Sequence, residues 1–251
     1  MRFLKAVLSA GLVALAAIGV AAPAAAGPAP NTYNWTGFYV GAVGSGGLFT
    51  VEQEDYWCWW ACDAPTLQDW DASIGLQAGF NGQNGHFVYG IVADINTGFE
   101  DSHEISYDSG DSRAVFDSEW EWYATVRGRA GVAVGDVQMF GTAGIAIVDI
   151  QDSAIGTSDF GTEGYDCTST DVDCAHVSET KVGFAGGVGL AYPVSDNVHV
   201  TFEYLFIGVP SENDRYDTDE EDDPTDTDDY VQWTTSAHLA RIAVVWEFDG
   251  M

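Results

Sequence analysis

Basic residues are nearly absent: 8 Lys plus Arg stand against 39 Asp plus Glu in 251 residues, a formal net charge of −31. A surface of that sign repels polyphosphate, which excludes nucleic acid as a partner. Charged residues make up only 19% of the chain, too few for a helical bundle rich in Lys, Glu and Leu. Beyond the N-terminal segment no run of 18 apolar residues occurs, so the sequence offers no membrane-spanning helix there. What it has instead is 29 Gly and 13% aromatic residues, the mixture of many short strands and tight turns. The length suits one domain or two small ones, and is ample for a closed barrel.

Residues 1–26 read as a signal peptide. Arg2 and Lys5 form a positive start, 6–20 an apolar stretch, and Ala24-Ala25-Ala26 a small-residue cleavage site. An apolar stretch of about 15 residues falls short of the roughly 20 that a helix needs to cross a bilayer. Cleavage before Gly27 would leave residues 27–251 as the folded domain.

Period-two alternation then predicts eight strands, at 37–49, 71–81, 87–99, 118–133, 137–151, 179–192, 198–208 and 231–248. In the fourth, Trp120, Trp122, Ala124, Val126 and Ala130 share one face, while Glu121, Tyr123, Thr125, Arg127 and Arg129 share the other. In the seventh, Val198, Val200, Phe202, Tyr204 and Phe206 oppose His199, Thr201 and Glu203. In the last, Ile242, Val244, Trp246 and Phe248 oppose Arg241 and Glu247. A helix would scatter these sets around its circumference.

Connections at 82–86, 134–136 and 193–197 are short; those at 51–70, 100–117, 152–178 and 209–230 are long. Short and long take strict turns, which places every long loop at one end of an up-and-down meander. Of the 39 acidic residues, 32 fall in or beside those long loops, so the negative charge gathers at one end.

The strand charges share one parity: Asp94, Glu121, Arg127, Arg129, Lys181, Glu203, Arg241 and Glu247. In a soluble lipocalin-like barrel that polar face would meet water. In an outer-membrane barrel it fills the interior, and the apolar face meets lipid. The small Gly, Ala, Ser and Thr beside these charges suit a narrow lumen, and strands of about ten residues suit a tilted crossing. Trp35, Phe38, Trp120, Trp246 and Phe248 would form outward interfacial girdles. The expected fold is all-β, an eight-stranded antiparallel up-and-down transmembrane barrel with four long acidic extracellular loops.

Five stretches resemble a known family in the right order. They are Asn34-Trp35-Thr36-Gly37-Phe38-Tyr39-Val40-Gly41, the turn segment from Gly79 to Gly90, and Thr125-Val126-Arg127-Gly128-Arg129-Ala130-Gly131. The remaining two are Phe202-Glu203-Tyr204 and the closing segment from Ala240 to Phe248. Together they resemble the small eight-stranded outer-membrane β-barrel proteins of Gram-negative bacteria. These are of the OmpA transmembrane-domain type, in the branch called outer-membrane immunogenic or porin-family surface proteins. The resemblance covers about 30–248 and implies an integral outer-membrane protein surrounded by lipid and lipopolysaccharide, with extracellular loops. Two departures stand out: Val92 occupies a position where the family often has an interior Glu, and Asp249-Gly250-Met251 follow the usual closing aromatic.

Little in the chain reads as chemistry. Cys58, Cys62, Cys167 and Cys174 are an even set in an exported protein, hence disulfide candidates, with the local pairs needing least rearrangement. They lack CxxC spacing, so no metal site is expected from them with His176. Ser236 and His238 share a face near the loop rim, but a nucleophile and base need a third group to orient them, and no acid of that parity is near. The fourth loop carries eleven acids at 212–229 without the spacing of an EF-hand, so it offers at most weak binding of divalent cations shared with lipid phosphates. No catalytic residue, cofactor or designed metal site is expected, and no extracellular partner is identified. The expected function is a structural or surface-interaction role with a closed lumen. The alternatives are a small-solute porin and an outer-membrane lipid-modifying hydrolase.

Overall fold

A computed structural model describes residues 33–55, 66–99, 105–108, 113–157, 172–210, 213–214 and 231–249. Ten strands are formed: β1 Gly37–Asp55, β2 Thr66–Asn84, β3 Phe87–Phe99, β4 Ile105–Asp108, β5 Arg113–Val134, β6 Val137–Thr157, β7 Val172–Ser195, β8 Val198–Val209, β9 Asn213–Asp214 and β10 Val231–Asp249. Eight are long and pair antiparallel in the order β1-β2-β3-β5-β6-β7-β8-β10, and β10 returns to β1 over the whole of both strands. The sheet is a closed eight-stranded barrel. Closure leaves no long edge strand with unpaired backbone groups. The short β4 and β9 add to β5 and β10 at the long-loop end.

Several strands run further than the alternation predicts. β1 continues to Asp55, β2 begins at Thr66, β5 at Arg113 and β7 at Val172, so parts of the expected long loops are strand. In sequence these extensions, such as Val51-Glu52-Gln53-Glu54-Asp55, break the apolar–polar alternation with charged and polar residues, so the hydrophobic pattern stops before the hydrogen-bonded ladder does. At the opposite end the chain turns in two residues. Gly85-His86 joins Asn84 to Phe87 and Gly135-Asp136 joins Val134 to Val137. Both glycines have positive φ, at 62° and 59°, the conformation that a two-residue hairpin of type II′ asks of its first central residue.

Alternation sorts the wall cleanly. Outward positions are apolar and exposed: Ile74 and Leu76 on β2, Val182, Phe184 and Val188 on β7, Phe202 on β8, and Ile242, Val244 and Trp246 on β10. Inward positions are buried, and hold small residues, amides, hydroxyls and the strand charges.

Two expected girdle residues are instead inside. Trp35 is wholly buried at the short-turn mouth, against Val88, Ala133, Phe140 and Ala191. Trp120 is buried near the long-loop end, edge-on to Phe49 with ring centres 5.1 Å apart. The reason for Trp120 is a β-bulge: the β5–β6 register shifts between Trp120 and Trp122, and the alternation restarts beyond it. The same bulge corrects the reading of Glu121, which is exposed and stands apart from the lumen charges.

Candidate functional site: a charged ring in the lumen

Inward parity brings four charged side chains together. Asp94 comes from β3, Arg127 from β5, Glu203 from β8 and Arg241 from β10. Arg241 and Glu203 are direct cross-strand partners, while Asp94 lies opposite Thr125, two positions from Arg127. Arg127 spans both acids, its Nη2 at 2.8 Å from Asp94 Oδ2 and its Nη1 at 2.5 Å from Glu203 Oε1. Arg241 spans the same two, with Nη2 at 3.1 Å from Asp94 Oδ1 and Nη1 at 3.4 Å from Glu203 Oε2. Acids and arginines thus alternate around a ring of zero net charge.

Neutral groups fill part of its remaining hydrogen-bonding capacity, while Arg241 Nε has no hydrogen-bond partner. Asn96 Nδ2 donates to Asp94 Oδ1 at 2.6 Å, Thr125 Oγ1 to Asp94 Oδ2 at 2.7 Å, and Thr142 Oγ1 to Glu203 Oε1 at 2.9 Å. Arg127 Nε donates in turn to Thr125 Oγ1 at 2.9 Å. Burying an ion costs several kcal/mol, and pairing repays that only when the remaining hydrogen-bond valences are also filled. Gly187 makes the space: a Cβ there would come within 3.1 Å of both Glu203 Oε1 and Thr142 Oγ1, and within 2.6 Å of the Tyr204 carbonyl.

Apolar clusters flank this ring on both sides. Toward the long loops lie Phe49, Trp120, Tyr123, Val148, Leu205, Ile207 and Leu239, all buried in one cluster. Beside the ring Tyr39, Val43, Val92, Ala243 and Val245 pack together, so Val92 extends an apolar layer where the family often places an acid. Toward the short turns is the Trp35 cluster. The segment before β1 folds into that mouth: Trp35 N–H donates to Gln83 Oε1 at 2.8 Å, and the Tyr33 hydroxyl contacts Glu247 Oε2 at 2.8 Å and the Asp196 carbonyl at 2.7 Å. Alternation could have revealed this, because Trp35 has the parity of inward Tyr39 and not of outward Phe38.

The other expected lumen charges stand away from the ring. Arg129 is buried below it, its guanidinium 3.7 Å from the centre of the Phe140 ring. Glu247 is buried at the short-turn mouth, 3.9 Å from His199 Nδ1. Lys181 has a largely buried side chain, with Nζ 3.6 Å from Glu179. Cys58, Cys62 and Cys167 lie outside the described residues, and Cys174 is described only as a β7 position opposite Ile155. Most of the long acidic loops also lies outside them.

On the outer wall the Tyr204 hydroxyl and His238 Nδ1 are 2.6 Å apart. No hydrogen bond joins Ser236 to His238 among the described residues, and His238 has no carboxylate within 4.0 Å there. Ser236 and His238 are thus not joined as nucleophile and base among the described residues. Among the described residues no group of three or more His, Cys, Asp or Glu could hold a metal ion.

The family model for "Outer membrane protein beta-barrel domain" matches residues 12–240, nearly the whole chain. The chain belongs to this family. It is therefore an integral outer-membrane protein of a Gram-negative bacterium, set in lipid and lipopolysaccharide, with short periplasmic turns and long extracellular loops. It is 26% identical to the 31 kDa outer-membrane immunogenic protein of Brucella melitensis biotype 1, over 98% of this chain and 100% of that one. To the 22 kDa outer membrane protein of Rhizobium leguminosarum bv. viciae it is 27% identical, over 76% of this chain and 72% of that one. Among solved structures, Neisserial surface protein A aligns over 85% of this chain and 98% of that one, at 13% identity and a TM-score of 0.43.

Proposed function

We propose that this member of the family is a closed-lumen barrel with a structural and surface-interaction role, neither a porin nor an enzyme. The observation that carries the reading is the neutral ring of Asp94, Arg127, Glu203 and Arg241 between apolar clusters. Eight strands leave an interior just wide enough for side chains, and here side chains of both kinds occupy it. The Tyr204–His238 pair on the wall has no carboxylate beside it among the described residues. In the same reading residues 1–26 are a cleaved export signal and 27–251 the barrel domain. The four cysteines form disulfides, and the acidic loops share divalent cations loosely with lipid phosphates. Mass spectrometry of the purified protein should find Gly27 at the start and no cysteine alkylated without reductant; four freely labelled cysteines would remove the disulfides. Calcium titration by calorimetry, with and without loop 212–229, should show millimolar binding only with the loop.

A deletion strain separates the three functional readings. Loss of the protein should leave lipid A unchanged and should not slow uptake of small hydrophilic solutes. It should weaken the envelope against detergent or reduce surface adhesion. Slower uptake would favour a porin, and a changed lipid A species would favour the hydrolase.

A further inference from the structure

The periplasmic half of the lumen holds a second polar group that the charged ring does not use. Arg129 has no carboxylate within 4.0 Å among the described residues, unlike Arg127 and Arg241. Its Nη2 donates to Gln138 Oε1 at 2.8 Å, while its Nε has no hydrogen-bond partner. Two further donors nearby also lack one, Gln138 Nε2 and Asn81 Nδ2, and the Tyr39 hydroxyl, whose oxygen lies beside the Arg129 guanidinium, has no acceptor for its O–H. All four residues are at least nine-tenths buried. The register explains how they meet. Asn81 and Arg129 flank Gly90 on β3, and Asn81 leans over that glycine, where a Cβ would come within 2.5 Å of its Oδ1. Arg129 also lies within electrostatic reach of Tyr39 and of His199.

We infer that Arg129, Gln138, Asn81 and Tyr39 form a binding site for one small monovalent anion of the size of chloride. A buried guanidinium without a counter-charge is unfavourable by several kcal/mol, and donors without acceptors add to that cost. One small anion answers both, since it neutralises the cation and accepts from several N–H and O–H groups at once. The site takes only one negative charge, because Glu247 already stands 3.9 Å from His199 at the same mouth. It takes only a small ion, because Trp35, Val88, Ala133 and Phe140 enclose that end. The inference goes beyond the closed-lumen reading and holds whether or not the barrel conducts.

The test is urea unfolding of the mature barrel folded in detergent micelles, at constant ionic strength, with chloride exchanged for gluconate, which is too large to enter. The unfolding constant should fall at least about tenfold between roughly 5 and 500 mM chloride and then level off, as expected for a ligand bound only by the folded state. Arg129→Gln should abolish this response and, at low chloride, be no less stable than wild type. Tyr39→Phe, which keeps the cation, should raise the half-saturating chloride about tenfold, and it carries the test if Arg129→Gln does not fold. Wild-type unfolding indifferent to chloride would overturn the inference, as would an Arg129→Gln protein that still responds or a Tyr39→Phe protein with unshifted saturation.

Discussion

Arg127→Gln should destabilise the folded barrel by about 3–5 kcal/mol, because it leaves Asp94 and Glu203 buried with a single cation between them. Arg127 is the better probe of the ring, since it makes the shorter contact to each acid and also binds Thr125 and Thr142. Adding Glu203→Gln should recover part of the loss, since the remaining Asp94 and Arg241 are again balanced. The double variant should therefore be more stable than the sum of the two singles by upward of about 1 kcal/mol. Urea unfolding in lipid vesicles, followed by tryptophan fluorescence, measures all three. Strict additivity would mean that the four side chains do not act as one network.

Val188→Arg should cost about 2–4 kcal/mol, as a cation on the lipid face near the bilayer midplane does. Val188 is 63% exposed on the outer wall of β7, opposite Tyr204 on β8 and Gly141 on β6. It stands four residues from Tyr192, one of the exposed aromatics near the periplasmic end. That is about 10 Å along the normal for a strand rising 3.3 Å per residue at a tilt near 40°. The same change on a water-facing wall would shift stability by no more than about 0.5 kcal/mol. Folding titrations in vesicles distinguish the two, with Gly85→Arg in the periplasmic turn as a poor control and Asp136→Arg as a better one. Gly85 has positive φ and would be strained by any side chain, whereas Asp136 is an exposed residue of the β5–β6 turn.

The barrel was legible in the sequence wherever one face of a strand is apolar and the other is not. The rows through Phe202, Tyr204 and Phe206 and through Ile242, Val244 and Trp246 gave strand, parity and face together. Seven of the eight expected lumen charges are also inward and buried or nearly so: Asp94, Arg127, Arg129, Lys181, Glu203, Arg241 and Glu247. Their pairing was not legible, because parity fixes direction while height in the lumen depends on the stagger between strands. Hence four of them meet in a ring, Arg129 and Glu247 lie below it, and Lys181 pairs with Glu179 instead. Period-two counting also fails wherever the count slips by one, as at the bulge that exposes Glu121 and buries Trp120. Strand ends were missed for a different reason. Above the lipid the two faces of a strand meet similar surroundings, so backbone pairing persists without a hydrophobic signature.

Closure of the lumen is the central claim, and planar-bilayer recording tests it most directly. Purified, folded protein should give no steady porin-like steps, alongside a large trimeric porin as positive control. In the proposed reading the Arg127 ring and the clusters of Leu205 and Trp35 fill the narrow interior of an eight-stranded barrel. Reproducible, long-lived channels of porin-like conductance from the wild-type protein would contradict it.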